Sequence, residues 1–200
     1  MFNFDFSADY VLEDSRVRLL PLLVEHAEAL LSAADHEAVW YHLLENGRDV
    51  QQLTAYIAAA VEERSAGKAY AFAVFDKAAN LFAGTTRFYE INPELQTIKL
   101  GHTWYGRSFW GSGLNKHCKY LLFDFAFEAV GAWRVGFGVS AENIRSLHAM
   151  RSVGCTEEGR LREYLWSVTG TGRTDVVHLS MLRSEWRNGG KAALRQKLNT

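Results

Sequence analysis

The stretch from Tyr105 to Lys119, Tyr-Gly-Arg-Ser-Phe-Trp-Gly-Ser-Gly-Leu-Asn-Lys-His-Cys-Lys, constrains the fold most, because it passes from a strand pattern to a helix pattern through Gly111 and Gly113. Residues 97–105 are rich in β-branched and aromatic side chains, whereas Leu114, Cys118, Leu121, Leu122, Phe125 and Ala129 recur at helical spacing. A helix N-terminus presents free N–H groups and the positive end of the macrodipole to an anion. Glycine allows close backbone approach and positive φ. The turn is therefore a candidate phosphate cradle, and Arg107 just upstream is a candidate charge-assisted contact.

The kind of phosphate ligand is narrowed by what the turn lacks. A dinucleotide fingerprint needs a third glycine where this chain has Lys116, and an acidic residue ending a second strand. A P-loop needs Gly, four residues, then Gly-Lys-Ser/Thr, and no such run occurs. Gly-x-Gly by itself also serves as a plain strand-to-helix turn, so a second motif is required.

That motif is Asn143-Ile-Arg-Ser-Leu-His-Ala-Met-Arg-Ser-Val-Gly-Cys155, followed by Glu158-Gly-Arg-Leu-Arg162. With it, residues 16 to the C-terminus resemble the GNAT superfamily of acyl-CoA N-acyltransferases, in the branch related to ribosomal-protein N-terminal acetyltransferases. The resemblance implies an α/β (α+β) fold, a mixed twisted central sheet of about six to seven strands flanked by helices. It also implies acetyl-CoA as co-substrate, with no metal. The Gly-x-Gly loop would cradle the pyrophosphate, and the Asn-x-x-Ser helix would flank the pantetheine arm. The residues so implied in cofactor binding are Trp104, Tyr105, Arg107, Phe109, Trp110, Gly111, Ser112, Gly113, Leu114, Asn115, Asn143 and Ser146. Backbone amides near Trp104 and Tyr105 would meet the thioester carbonyl and pantetheine amides.

Composition suits one domain over residues 1–200: 48% hydrophobic and 22% charged residues is ordinary globular balance. A net charge of −1 without like-charge runs gives no support for a general nucleic-acid grip. The two cysteines, Cys118 and Cys155, are not in Cys-x-x-Cys spacing, so a reduced, cytoplasmic setting is expected. No stretch approaches the roughly eighteen apolar residues of a membrane helix, and the N-terminus lacks a secretory pattern.

The coarse pattern is a strand at 16–20, helices near 24–34 and 49–65, then strands at 69–75, 81–89 and 97–105. A helix at 113–129, a strand at 133–139 and a helix at 142–152 follow. Strands near 157–168 and 173–182 and a terminal helix at 184–198 complete the chain. Polar turns at 76–80 and Gly170-Thr-Gly172 mark hairpins. The terminal helix and an exposed sheet edge are compatible with a homodimer.

Transfer of an acetyl group to an amine needs a proton acceptor, a site for the oxyanion and a proton for the departing thiolate. Many relatives carry Glu two residues before the strand glycine, here Gly101, but this chain has Lys99. His102 is the nearest substitute, and simple alternation puts it on the opposite face from Lys99. Glu90 and Glu158 are further candidates. For the thiolate, many relatives use a tyrosine seven residues after the motif Asn, but Met150 stands there, and the resemblance points to Ser146. A weak base suits an α-amine, with pKa about 7.7–8.0, better than a lysine side chain at about 10.4. Trp40, Tyr41, Phe88 and Tyr89 fall where the family places its acceptor cleft, which suits a peptide N-terminus or small amine better than a polycation. The competing readings are a non-catalytic acyl-CoA-binding regulatory module, which Lys99 favours, and a structural protein whose Gly-x-Gly is only a turn.

Overall fold

The computed structural model describes residues 1–34, 36–43 and 47–199. Eight strands form one sheet in the order β1-β2-β3-β4-β5-β6-β8-β7. They are β1 (Leu12–Glu13), β2 (Val17–Pro21), β3 (Ala69–Asp76), β4 (Leu81–Asn92), β5 (Thr97–Tyr105), β6 (Arg134–Ser140), β7 (Thr156–Trp166) and β8 (Arg173–Leu182). Every neighbouring pair is antiparallel except β5 with β6. The strand beyond the expected seven is β1. Two residues are too few to show alternation, and the hairpin is made by Asp14, whose Oδ1 accepts from the amides of Arg16 and Val17 at 2.8 Å each.

Helices cover both faces. On one side lie α4 (Leu114–Asp124), extended by a wide turn at Phe125–Ala129, and α5 (Ile144–Ser152). Leu114, Cys118 and Leu122 of α4 pack on Phe72, Phe88, Ile98, Leu100, Val135 and Phe137, all buried. On the other side, α1 (Ala27–Ala34), α2 (Glu37–Trp40) and α3 (Val50–Ser65) bury Leu30, Trp40, Leu53 and Ile57 against Ala71, Ala73 and Trp104. Small side chains on β3 let α3 approach, and Asp49 caps it by accepting from the Gln52 amide at 2.8 Å. The first ten residues cross the sheet's end, where Phe4 meets the rings of Tyr10, Tyr70, Phe88 and Phe125 at centroid distances of 5.7–6.2 Å.

The expected helix over 184–198 is broken. A turn at Arg183–Glu185 and a wide turn at Trp186–Gly190 lead into α7 (Lys191–Gln196), with the first turn counted as α6. Gly189 at φ +122° makes the kink, and Trp186 is held in the core. Helix α1 likewise begins at Ala27, after a tight turn over Val24–His26.

Two departures from regular sheet position the site. Strands β5 and β6 pair only at Thr97–Arg134, Ile98–Val135 and Lys99–Gly136, then separate while both continue. Across the β4–β5 pair, Arg87 faces Gly101 and Thr85 faces Trp104, so His102 and Thr103 together oppose Thr86. This is a β-bulge, and His102 sits in it at φ +46°.

Candidate active site

Where β5 and β6 separate, a cavity of about 460 Å³ opens. Its walls include Gly101, His102, Thr103, Trp104 and Tyr105 from β5, and Phe137, Gly138, Val139 and Ser140 from β6. The unpaired edges of both strands expose backbone hydrogen-bonding groups, which need partners from whatever fills the space.

At one end of the cavity lies the glycine turn. Gly111 at φ +73° and Gly113 at φ +84° both line it, and a Cβ built at either meets nothing within 4 Å. These glycines keep the conformation and leave backbone surface open rather than avoiding a clash. Gly113 itself offers no capping side chain, and among the described residues only a long 3.4 Å bond from the Leu114 amide to Ser112 Oγ engages the helix start from a side chain, so this N-terminus suits an anion. The residues present fit a pyrophosphate.

The expected cofactor residues divide clearly. Trp104, Tyr105, Phe109, Trp110, Gly111, Gly113, Asn115, Asn143 and Ser146 all line the cavity. Asn115 is fixed by the Tyr105 hydroxyl, which donates to its Oδ1 at 3.2 Å. Three residues are not brought there. Arg107 donates instead to His36 Nε2 at 2.9 Å, because the tight turn over Arg107–Phe109 aims it at the α2 N-terminus. Ser112 Oγ is turned back on the loop, donating to the Phe109 carbonyl at 2.7 Å. Leu114 is buried in the core.

Asn143 is the N-cap of α5, its Oδ1 accepting from the Ser146 amide at 3.0 Å. The same bond therefore orients both motif residues. Among the described residues, Ser146 Oγ has no hydrogen-bond partner, so the fold leaves the hydroxyl available at the cavity wall.

The proposed proton acceptors fare differently. The bulge overrides simple alternation: the His102 ring packs edge-on to Tyr89 at 5.3 Å, and Lys99 Nζ lies 6.0 Å from that same ring. His102 does reach the cavity. Glu90 is engaged by Lys99 at 2.6 Å. Glu158 is gripped by both terminal nitrogens of Arg134 and accepts from Ser180 Oγ at 2.8 Å. The Arg134 contact holds its carboxyl down to about 2, too acidic to take a proton from an amine.

Of the aromatics expected at the acceptor cleft, Trp40 and Phe88 are core residues, the Trp40 ring lying tilted against Trp104 at a centroid distance of 5.1 Å. Tyr41 is exposed, and the Tyr89 ring lies over Gly101.

Sequence reasoning missed several lining groups. His42 lines the cavity and its Nδ1 is buried without a partner among the described residues. Burial, with the nearby Arg145 charge, pushes its pKa below the ordinary imidazole value, so it is a neutral acceptor at pH 7. Arg145 stacks 3.6 Å over the Trp110 ring, tying α5 to the glycine turn. Lys116 and Lys119 add cationic groups from α4. Arg145 and Lys116 sit inside the two motifs and were detectable by position; His42 carried no local signal.

A central sheet that splits between two parallel strands, a glycine turn feeding a helix at the split, and a capped Asn-x-x-Ser helix beside it define an acyl-CoA-dependent acyltransferase architecture. The chain belongs to the GNAT acetyltransferase family, whose sequence profile matches residues 16–156, and members of this family transfer acetyl groups from acetyl-CoA. It is similar to a candidate acetyltransferase from T. thermophilus, with 34% identity, TM-score 0.82, and coverage of 99% of this chain and 100% of that one. A GCN5-related N-acetyltransferase from Brucella melitensis superposes with TM-score 0.88 at 25% identity, covering 99% and 89%. Mycobacterium smegmatis RimJ, solved with CoA-disulfide, shares the fold at TM-score 0.75 and 22% identity, over 94% and 93%. No curated protein matches the chain. Among the described residues no helix is long and apolar enough to cross a membrane.

Proposed function

We propose that the protein, as one domain over residues 1–200, is a cytoplasmic acetyl-CoA-dependent N-acetyltransferase whose acceptor is a primary amine, either a protein or peptide N-terminus or a small molecule. The observation that carries this reading is the gap between β5 and β6, which runs without interruption into the glycine turn at the start of α4. Gly111 and Gly113 would hold the pyrophosphate. The strand edges at Thr103–Tyr105 and Gly138–Ser140 would hold the pantetheine, with Asn143 and Ser146 beside it.

The acceptor amine must be neutral to attack the thioester carbonyl. Glu90 and Glu158 are both engaged by cations, whereas His102 and His42 line the cavity, and their imidazoles would accept the amine's proton. Such weak bases suit an α-amine, of which on the order of a tenth is already neutral at pH 7, better than a lysine side chain. Ser146 would donate a proton to the departing sulfur.

The test is acetyl-CoA consumption, followed by free-thiol release, against N-terminal peptides, lysine side chains and small amines. Release that depends on one acceptor class and falls in Asn143→Ala and Ser146→Ala is expected. Faster acetylation of lysine than of α-amines near neutral pH would overturn the acceptor assignment. Tight acetyl-CoA binding without acceptor-dependent release would favour a regulatory module that binds the acyl-CoA without turnover, a reading that Lys99 in the usual glutamate position supports.

A further inference from the structure

Lys119 has no place in the function as described, yet its setting is costly. The side chain is 1% exposed, projects from α4 into the core and reaches the cavity wall. Its Nζ donates to Thr103 Oγ1 at 3.2 Å and lies 6.0 Å from the centre of the Phe137 ring. Among the described residues it forms no ion pair with a carboxylate. A structural lysine this deep is normally neutralised by an acid, because a lone buried charge costs several kcal/mol.

Its position explains what the charge faces. Phe137 on β6 directly follows Gly136, the last residue paired to β5, whereas Thr103 lies in the β5 bulge, further along the separated part of that strand than Lys99, the partner of Gly136. Lys119 thus reaches both strands inside the gap, β5 at its bulge and β6 just past its last pair. Counting along α4, it is about 8 Å from the first-turn residue Leu114, which follows the glycine turn. A pantetheine arm laid from that turn along the gap brings its sulfur end toward this closed floor. Ser146 and Met150 line the same cavity from α5.

We propose that Lys119 is a catalytic residue, the buried cation that receives the departing coenzyme A thiolate. The proposal rests on the acetyltransferase reading above. In the step concerned, the acceptor nitrogen forms a bond to the carbonyl carbon and surrenders a proton to the site's base. The carbon–sulfur bond breaks with its electron pair on sulfur. The Lys119 ammonium pairs with that thiolate until a proton, passed through Ser146, converts it to the thiol. Ser146 alone is a neutral donor and supplies no compensating charge, and Met150 stands where many relatives have an ionisable tyrosine.

The surroundings suit this role. Titratable groups near the lysine are Cys118 on its own helix, Cys155 after α5 and Tyr105 on β5. Burial pushes both cysteine thiols up to about 12 and Tyr105 well above its ordinary value, so all three stay neutral. Burial pushes Lys119 down to about 8, so it is predominantly charged at pH 7. A thiolate arriving beside it stabilises that charge.

Ultraviolet thiolate absorbance of bound coenzyme A tests this directly. Cys118 and Cys155 stay protonated over the titration from about pH 6 to 10. Binding of coenzyme A is first measured by calorimetry for the wild type, Lys119→Met and Lys119→Arg. In the wild type the bound thiol is expected to ionise at least about one pH unit below free coenzyme A, a tenfold gain in thiolate. Lys119→Met is expected to abolish that shift and lower kcat about 10- to 100-fold, with little change in KM for acetyl-CoA. Lys119→Arg is expected to retain part of both. A bound thiol that titrates like free coenzyme A in the wild type, a measurement that needs no variant, overturns the proposal. So does Lys119→Met with an unaltered thiol titration and kcat. Failure of the wild type to bind coenzyme A at all would instead overturn the acetyltransferase reading itself.

Discussion

Replacing Lys119 by Met should make the protein more stable at pH 7, and the advantage should vanish in alkali. In the folded chain burial pushes the ammonium from 10.5 down to about 8. At about 1.4 kcal/mol per pH unit, the folded state carries a penalty of about 3 kcal/mol wherever Lys119 is charged, below about pH 8. Between about pH 8 and 10.5 the unfolded chain binds more protons than the folded one, so stability rises with pH across that window. Methionine is close in shape and carries no charge, but it forfeits the Thr103 hydrogen bond, worth about 1 kcal/mol. The net expectation is a gain of about 2 kcal/mol at pH 7, or roughly 4–8 °C in Tm for a domain of this size. By about pH 10 the residual penalty is under about 1 kcal/mol and the two proteins should match. Urea denaturation followed by tryptophan fluorescence at pH 7, 8, 9 and 10 measures this, since Trp186 is wholly buried. A Met variant that is less stable at pH 7, or that differs from the wild type equally at pH 7 and 10, would refute the reasoning. Gained stability with lost turnover is the pattern expected of a residue retained for chemistry.

Other positions give independent checks. Gly84→Ala should cost more than about 3 kcal/mol or prevent folding, because its φ is +154° and a Cβ there would lie 1.9 Å from the Trp104 carbonyl oxygen; soluble expression with a wild-type melting curve would contradict this. Asn143→Ala should lose about 1 kcal/mol of α5 capping and weaken coenzyme A binding, whereas Asn143→Asp should keep the cap; thermal melts and calorimetry of both variants separate the two effects. Glu158→Gln should leave the alkaline limb of the pH–rate profile unchanged, since Arg134 holds the carboxyl down to about 2. That lowered value contributes stability above about pH 4.5, lost as pH falls through about 2. The pair is a third exposed, so the variant should trail by no more than about 1 kcal/mol at neutral pH and converge with the wild type in acid.

Much of this was legible in the sequence. Gly111, Gly113 and Asn143 announced themselves because each meets a backbone requirement only a few residue types satisfy: positive φ in the turn and an accepting side chain at the head of a helix. Strand and helix periodicity placed nearly every element for the same local reason. What stayed hidden depends on contacts distant in the chain. The bulge at His102 arises from register against β4, so alternation along β5 alone misplaced the imidazole. Arg107 reads as a phosphate ligand until His36, far away in sequence, is seen to take it. His42, Lys119 and the Arg145–Trp110 stack acquire meaning only when α2, α4, α5 and the glycine turn converge on one gap. The C-terminal kink is the exception, since Asn188-Gly189-Gly190 was in plain view and argued against a continuous helix.

The parting of β5 from β6 has a further thermodynamic meaning. Three residue pairs join the antiparallel block β1–β5 to the β6–β8–β7 unit through the sheet, and beyond them the two ladders end on facing rows of backbone donors and acceptors. An amide-bearing guest seated there acts as a surrogate strand, binding the native chain and not the unfolded one. Each tenfold excess over its dissociation constant then adds about 1.4 kcal/mol of stability. A pantetheine arm, with its amides, has the hydrogen-bonding groups to close that open seam between the ladders.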